Sequence, residues 1–148
     1  MAKKLIKNYT TDTPVLTTLA EIQKILAENG AMGIATEYKN GAVQALFFRI
    51  PYRNQELAFR LPARPEQVYA ALFANMQYED RLREQRMERS RMIAWRICKT
   101  WLEAQITLVN LGQAKMEEVF LPYFVMDGQK TLYESMESGG FLLTSGKG

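Results

Sequence analysis

The sequence has 148 residues, of which 47% are hydrophobic and 24% charged, and its net charge is +3. These values are typical of a globular protein with a hydrophobic core, and we predict one domain over residues 1–148. No apolar run is long enough to span a bilayer, and the first residues lack the apolar segment of a signal peptide. We therefore expect a cytoplasmic protein without a membrane partner.

The first part of the chain predicts a loose arm followed by a helix. Residues 1–12 are polar and show no periodicity, so we expect them to form the arm, with a globular core over 13–126. The helix is expected to begin near Thr18, because Thr18 and Glu21 form a capping box, and to stop at Asn29 and Gly30. Its apolar stripe would consist of Leu19, Ile22, Ile25 and Leu26.

Alternating apolar residues then predict a three-stranded antiparallel meander, with strands at 32–38, 43–50 and 56–61. Asn40 and Gly41 are typical of a type I′ turn, because both residues favour positive φ. Pairing Lys39 with Ala42 sets the register. One face, the core face, would carry Ala35, Leu46, Phe48, Ile50, Leu57, Phe59 and Leu61. The other, mixed face would carry Ile34, Thr36, Tyr38, Val43, Ala45, Phe47, Arg49, Ala58 and Arg60.

Two interpretations of the mixed face stay open. It could be a second buried layer under the first helix, with its arginines at the edge. It could instead be a groove in which arginines hold a phosphate backbone and aromatic rings stack bases.

Pro65 is expected to begin a second helix, with an apolar stripe of Val68, Tyr69, Leu72, Phe73 and Met76. Residues 79–111, which contain no Gly or Pro, predict a long helix, and the second helix could either continue into it or break near residues 75–80. The main apolar stripe of the long helix would consist of Ile93, Ile97, Trp101, Ala104, Leu108 and Leu111, widened by Ala94, Cys98, Leu102 and Val109. We expect Cys98 to be a buried, inert thiol and the two tryptophans to lie in the core or a subunit interface. A short helix at 115–121 and a flexible tail over 127–148 complete the predicted α+β fold, an α-β-β-β-α arrangement with the meander packed on the long helix.

Positive charge is concentrated at the start of the long helix. Residues 81–101 carry seven basic and two acidic side chains, a net charge of +5, whereas residues 102–148 have a net charge of −3. Such a cluster attracts phosphate backbones, acidic lipids or acidic proteins. A solvated helix surface, in which arginines pair with Glu84 and Glu88, is an equally favoured interpretation.

The residue types argue against catalysis. Histidine is absent, which removes the most common general base and metal ligand. We find no Gly-rich phosphate loop, no Cys/His cluster and no nucleophile with a base at a recognisable spacing. We therefore predict no catalytic residue, no metal site and no cofactor. An enzyme that binds a divalent metal through Glu117 and Glu118 is the least favoured alternative.

The predicted element order resembles the core of phage-type single-strand annealing proteins, which form rings or filaments on single-stranded DNA. The segments GAMGI (30–34), FRLP (59–62), AWR (94–96), WLEAQ (101–105) and EEVFLPY (117–123) also resemble a family of small proteins encoded in phages and prophages. The first resemblance implies that single-stranded DNA runs between the meander and the basic part of the long helix, and that protomers pack side by side.

Our leading hypothesis is a non-enzymatic, oligomeric protein that binds single-stranded DNA and promotes strand annealing in phage-type recombination. The alternative is a phage protein-binding module that inhibits a host defence or nucleic-acid enzyme and uses the same basic surface against an acidic partner. Under the leading hypothesis, tyrosines are available for base stacking and arginines touch phosphate. The predicted nucleic-acid-binding residues are Tyr38, Arg49, Tyr52, Arg60, Arg81, Arg83, Arg86, Arg89 and Arg91.

Overall fold

The computed structural model describes residues 5–73 and 80–141, apart from the side chains of Asp80, Arg81 and Asp127. It confirms the α+β fold and the order α-β-β-β-α. The chain divides into two compact units: residues 1–26 with 62–106, and residues 27–61 with 107–148. Within the described ranges, no helix combines the length and the apolar character that crossing a bilayer requires.

The first helix, α1, spans Val15–Glu28 and begins earlier than predicted. Pro14 precedes it, and the Pro14 carbonyl accepts a hydrogen bond from the Thr18 amide at 3.2 Å. The predicted capping box is wrong, because Thr18 is fully buried inside the helix and the Glu21 carboxylate accepts a hydrogen bond from Arg96 instead. Three residues of the predicted stripe, Leu19, Ile22 and Leu26, are buried.

Glu21 anchors α1 by ion pairs within the first unit. Its carboxylate lies 3.0 Å from Arg96 Nη1 and 3.2 Å from Lys99 Nζ. Hydrogen bonds from Lys99 and then Arg96 lower the pKa of Glu21 below its ordinary value of 4.5. A carboxylate with a lowered pKa stabilises the fold above its ordinary pKa and loses this contribution as the pH falls through the lowered value.

We expect Glu21→Gln to lower the thermal midpoint at neutral pH. The difference from wild type should shrink as the pH falls below 4.5 and disappear once the wild-type carboxylate is protonated. Calorimetry over a pH series measures this effect. Glu28→Gln is the matched control, because Glu28 is an exposed residue of the same helix. An equal, pH-independent loss in both variants would contradict the assignment.

Helix α2 spans Pro65–Phe73, and its start at Pro65 is confirmed. Helix α3 spans Asp80–Asn110 and confirms the long helix, while residues 74–79 lie outside the described part. The buried face of α3 differs from the predicted stripe, because Ala104 and Leu111 are exposed. The buried face is centred on Ala94, Cys98 and Leu102, which we expected only to flank the main stripe. Its buried residues are Ser90, Ile93, Ala94, Trp95, Cys98, Leu102 and Ile106.

The sheet of the second unit consists of β1 (Gly33–Lys39), β2 (Ala42–Tyr52) and β3 (Gln55–Arg60), in the order β1-β2-β3. All pairs are antiparallel, as predicted, and Lys39 pairs with Ala42. Asn40 and Gly41 have φ values of 53° and 80°, which confirms the turn between β1 and β2.

A register shift between Glu37 and Tyr38 changes the faces of β1. Between this shift and the start of β1, Ile34 pairs with Phe48 and Thr36 pairs with Leu46. Residues that pair across strands share a face, so Ile34 and Thr36 lie on the core face and Ala35 on the mixed face. The predicted faces of these three residues are therefore wrong. For residues 47–50 of β2 and 57–60 of β3, the predicted faces agree with the observed register.

Aromatic rings fill the core of the second unit. Phe48 and Phe59 stack at 5.4 Å between ring centroids. Phe120 lies edge-on to Phe48 at 5.1 Å and 5.9 Å from Phe59. All three side chains are at most 1% exposed. A residue far along the chain thus completes the packing on the core face of the sheet.

The C-terminal part contains regular structure where we expected a flexible tail. After α4 (Met116–Val119) and a 3₁₀ turn, strands β4 (Val125–Asp127) and β5 (Lys130–Thr131) pair, and α5 covers Leu132–Ser138. A capping box begins α5: Thr131 Oγ1 accepts from the Glu134 amide at 3.2 Å, and Glu134 Oε1 accepts from the Thr131 amide at 2.9 Å. Residues 130–138 of the predicted tail are thus ordered structure, and 142–148 lie outside the described residues.

Candidate nucleic-acid interface

The predicted nucleic-acid-binding residues fall into two groups, one in each unit. Tyr38, Arg49, Tyr52 and Arg60 belong to the sheet of the second unit, whereas the arginines from 81 to 91 belong to α3 in the first unit. The side chain of Arg81 lies outside the described part. We describe each group by itself.

On the mixed face of the sheet, the strand register places two arginines in neighbouring rows. One row joins Gly33, Arg49 and Ala58, and the next joins Ala35, Phe47 and Arg60. On the central strand, Arg49 therefore stands between the small residues Gly33 and Ala58, and Phe47 stands between Ala35 and Arg60. Such a surface can present both a cation and an aromatic ring to one ligand.

Arg49 is held in place by an acidic and a small neighbour. Its Nη1 donates to both carboxylate oxygens of Glu56, at 2.7 and 2.8 Å. Its guanidinium also occupies the space that a Cβ at residue 33 would take. Gly33 is thus required for this Arg49 conformation, and the Arg49 charge is already compensated.

Arg60 and the two tyrosines are less suited to the predicted roles. Arg60 Nη1 lies 3.9 Å from Glu134, the carboxylate that also caps α5. Tyr38 is 59% exposed but pairs with Val43 at the turn, far along β1 from Gly33. Tyr52 lies three residues from Arg49 on β2, so the two side chains point to opposite faces of the sheet. The sheet therefore brings together Arg49 and Arg60, and it brings neither tyrosine beside them.

Arg89 holds the N-terminal arm. Its guanidinium donates to the carbonyls of Tyr9 at 2.9 Å and Thr11 at 3.2 Å, and to the Asp12 carboxylate at 3.3 Å. Asn8 adds a hydrogen bond to Thr100 at 3.2 Å. Residues 8–12, which we predicted to be a loose arm, are thus docked on α3, and Arg89 is engaged within the chain.

Arg91 is also compensated by carboxylates of its own helix. Its Nη1 lies 2.9 Å from Glu88 and 3.3 Å from Glu84. Burial by itself would lower the Arg91 pKa, but the hydrogen bonds to Glu88 and Glu84 outweigh it, and the pKa is raised overall. This pairing matches the interpretation of the basic run as a self-compensated helix surface.

Arg83 and Arg86 lie on the N-terminal part of α3. Arg83 is exposed, and no described residue forms an ion pair with it. Arg86 is half-buried, and its Cζ lies 5.4 Å from the centroid of the Phe73 ring. Phe73 in turn lies 5.7 Å from Tyr69 on α2. We call these four residues, Tyr69, Phe73, Arg83 and Arg86, the α2–α3 cluster.

The aromatic half of this cluster was not among the predicted nucleic-acid-binding residues. We assigned Tyr69 and Phe73 only to the apolar stripe of α2, but both rings are half-buried. Tyr69 and Phe73 are four residues apart, which places them on one helix face. This spacing was the sequence signal that could have identified the aromatic pair. The partner helix could not be identified from spacing alone. The cluster combines a positive charge with ring faces, as proteins that bind single-stranded nucleic acid do.

The groups considered for chemistry include the carboxylate of Glu118 and the thiol of Cys98. Glu118 accepts a hydrogen bond from the Lys115 amide at the start of α4. Among the described residues, no three Cys, His, Asp or Glu side chains are grouped so that they could hold a metal ion. Cys98 is buried, and burial raises the pKa of its thiol from 9.0 to about 12.

We expect the Cys98 thiol to resist alkylation in the folded protein. Its raised pKa makes the thiolate about 1,000-fold scarcer than at an ordinary cysteine, and only the thiolate reacts. The measurement is the rate of iodoacetamide labelling with and without urea. Labelling in the native protein as fast as in urea would show that the thiol is accessible and would contradict its buried position.

No protein-family model matches this chain, and neither a curated protein nor a solved structure shows significant similarity to it. The functional assignment therefore depends on the geometry of the two groups described above.

Proposed function

We propose that the protein binds single-stranded DNA in the cytoplasm and, as an oligomer, promotes annealing in phage-type recombination. The observation that supports this most is the α2–α3 cluster, where Arg83 is exposed and Arg86 lies over Phe73. Arginine side chains bind the phosphate backbone, and neighbouring rings stack on bases that a duplex would keep paired. A single strand offers both a phosphate backbone and unpaired bases.

The oligomeric and annealing parts have separate support. Large apolar side chains are exposed in both units, including Leu16 at 69%, Met32 at 59% and Leu111 at 67%. Packing between copies would remove such side chains from water. The α-β-β-β-α order resembles the core of the annealing proteins, and it motivates a strand-annealing assay once binding is established.

The first test is fluorescence anisotropy of a labelled oligothymidylate over a salt series, with the protein mass measured by light scattering. We expect a multimer whose binding weakens with salt by a slope of about −0.7 per phosphate contact. Because oligothymidylate cannot form a self-duplex, binding to it isolates the single-strand affinity. No binding at low salt would overturn the proposal.

A second candidate, a module that binds an acidic protein, is favoured by one observation. Arg83 is exposed, and no described carboxylate pairs with it. An acidic side chain of a partner could form an ion pair with this arginine.

An acidic peptide distinguishes the two functions. Single-strand binding predicts that Phe73→Leu weakens oligonucleotide binding about fivefold or more, because stacking contributes about 1–3 kcal/mol per base. The same change should leave the binding of a glutamate-rich peptide unaltered. A protein with higher affinity for the peptide than for the oligonucleotide would favour the second candidate.

A further inference from the structure

A shallow groove of about 240 Å³ lies on the mixed face of the sheet. We call it the sheet groove, and its lining includes Gly33, Ala35, Phe47, Arg49 and Ala58. All five belong to the second unit, and their rows follow from the strand register. Its volume is below the 300–1,000 Å³ of pockets that take drug-sized ligands. A ligand that fits it is a single small or planar group.

The electrostatics of the sheet groove disfavour an anion. Arg49 provides its positive charge, and Glu56 compensates that charge through two hydrogen bonds from Nη1. An anion would have to separate this pair or approach the Glu56 carboxylate. A neutral group can bind while the Arg49–Glu56 pair stays intact.

The pair also positions Arg49 as a donor. Because Nη1 is occupied by Glu56 and the guanidinium lies against Gly33, the side chain has little freedom left to lose on binding. Its Nε and Nη2 make no hydrogen bond to a described residue. A held, planar guanidinium with remaining N–H groups can stack on a ring and donate to ring nitrogens or carbonyls.

The walls of the sheet groove suit a flat ring. Arg49 lies between Gly33 and Ala58, and Phe47 lies beside Ala35, so both side chains rise above these small residues, while Arg60 stands on the other side of Phe47. Arg49 is 51% exposed at its side chain, so a ligand can reach it. A planar group can contact Phe47 and Arg49 together.

We propose that the sheet groove binds a nucleobase, which stacks on Phe47 and accepts hydrogen bonds from Arg49. The base would come from a bound single strand or from a free nucleotide, and the chemistry of recognition is the same. The first source rests on the proposed function, whereas the second does not. Arg49 would accordingly recognise a base and not the phosphate that we assigned to it from the sequence.

The test is a titration of the ¹⁵N-labelled full chain, followed by amide NMR signals, with three separate probes: adenosine monophosphate, ribose 5-phosphate and oligothymidylate. We expect the nucleotide to shift the amides of Gly33, Ala35 and Ala58. Ribose 5-phosphate, which lacks the base, should leave them unchanged. Equal shifts from both would show that phosphate is recognised and would overturn the proposal.

Gly33→Ala is the decisive variant. The new Cβ would displace the flexible end of Arg49, so the fold should persist while nucleotide affinity falls about tenfold. Gly139→Ala is the matched control, because a Cβ there meets only ordinary contacts at 3.7 Å or more. Phe47→Leu should likewise weaken the nucleotide about tenfold. Unchanged affinity in both groove variants would refute the assignment.

The probes separate this inference from the proposed function. If oligothymidylate binds but neither it nor the nucleotide shifts the groove amides, the inference fails and single-strand binding stands. If the nucleotide shifts these amides but the oligonucleotide binds nowhere, the sheet groove is confirmed for free nucleotides and the proposed function fails.

Discussion

Charge reversal at Arg83 and Arg86 is expected to weaken single-strand binding by about 100-fold. The two residues lie three positions apart on α3 and therefore on one face of the helix. Each charged hydrogen bond to phosphate contributes about 1.5–3 kcal/mol, so the loss of two contacts reaches this factor. The salt slope should become shallower by about 1.4, since each single-strand contact contributes about 0.7.

The control for this double variant is Lys24→Glu with Lys39→Glu. Both lysines are exposed and lie outside the α2–α3 cluster, and the two double variants change the net charge equally. We expect the control to reduce affinity only slightly at physiological salt, because screening weakens distant charges. Anisotropy on variants with native circular dichroism gives the comparison. Equal losses in both would mean that net charge, and not the cluster, governs binding.

Phe120→Ala is expected to lower the free energy of unfolding by about 3–5 kcal/mol, the usual cost of truncating a buried Phe. The Phe120 ring is 0% exposed and contacts Phe48 and Phe59, with centroids at 5.1 and 5.9 Å. Its removal would leave a cavity on the core face of the sheet. A loss of this size approaches the whole stability of a small domain.

Urea denaturation measures this cost, with Leu121→Ala as the control. Leu121 follows Phe120 directly but is 50% exposed, so its truncation should change the free energy of unfolding by about 0.5 kcal/mol or less. A small effect at Phe120, similar to that at Leu121, would contradict the position of this ring in the core.

Local signals predicted the sheet well and its faces only partly. The Asn40-Gly41 turn fixes the pairing of Lys39 with Ala42, because its backbone geometry depends on those two residues. The irregularity between Glu37 and Tyr38 has no marker such as Gly or Pro. A shift of one position moves the side chains on its far side to the opposite face of the sheet. For this reason Ile34 and Thr36, which lie on the core face, were predicted on the mixed face.

The partners of the arginines could not be predicted, because they depend on tertiary contacts. The sequence suggested Glu84 and Glu88 as partners within α3, and Arg91 does pair with both. Nothing local indicates that Asp12 meets Arg89 or that Glu21 meets Arg96. In contrast, the start of α5 was predictable, since Thr131 and Glu134 have the spacing of a capping box.

The packing of Phe120 against the sheet has a consequence for biosynthesis. β2 and β3 leave the ribosome well before Phe120, so Phe48 and Phe59 lack this aromatic neighbour while the intervening chain is made. Contacts between distant parts of a chain also form slowly, because a long loop must close first. A nascent chain that pauses before residue 120 would present these rings to solvent, which is the condition in which chaperones engage and aggregation begins.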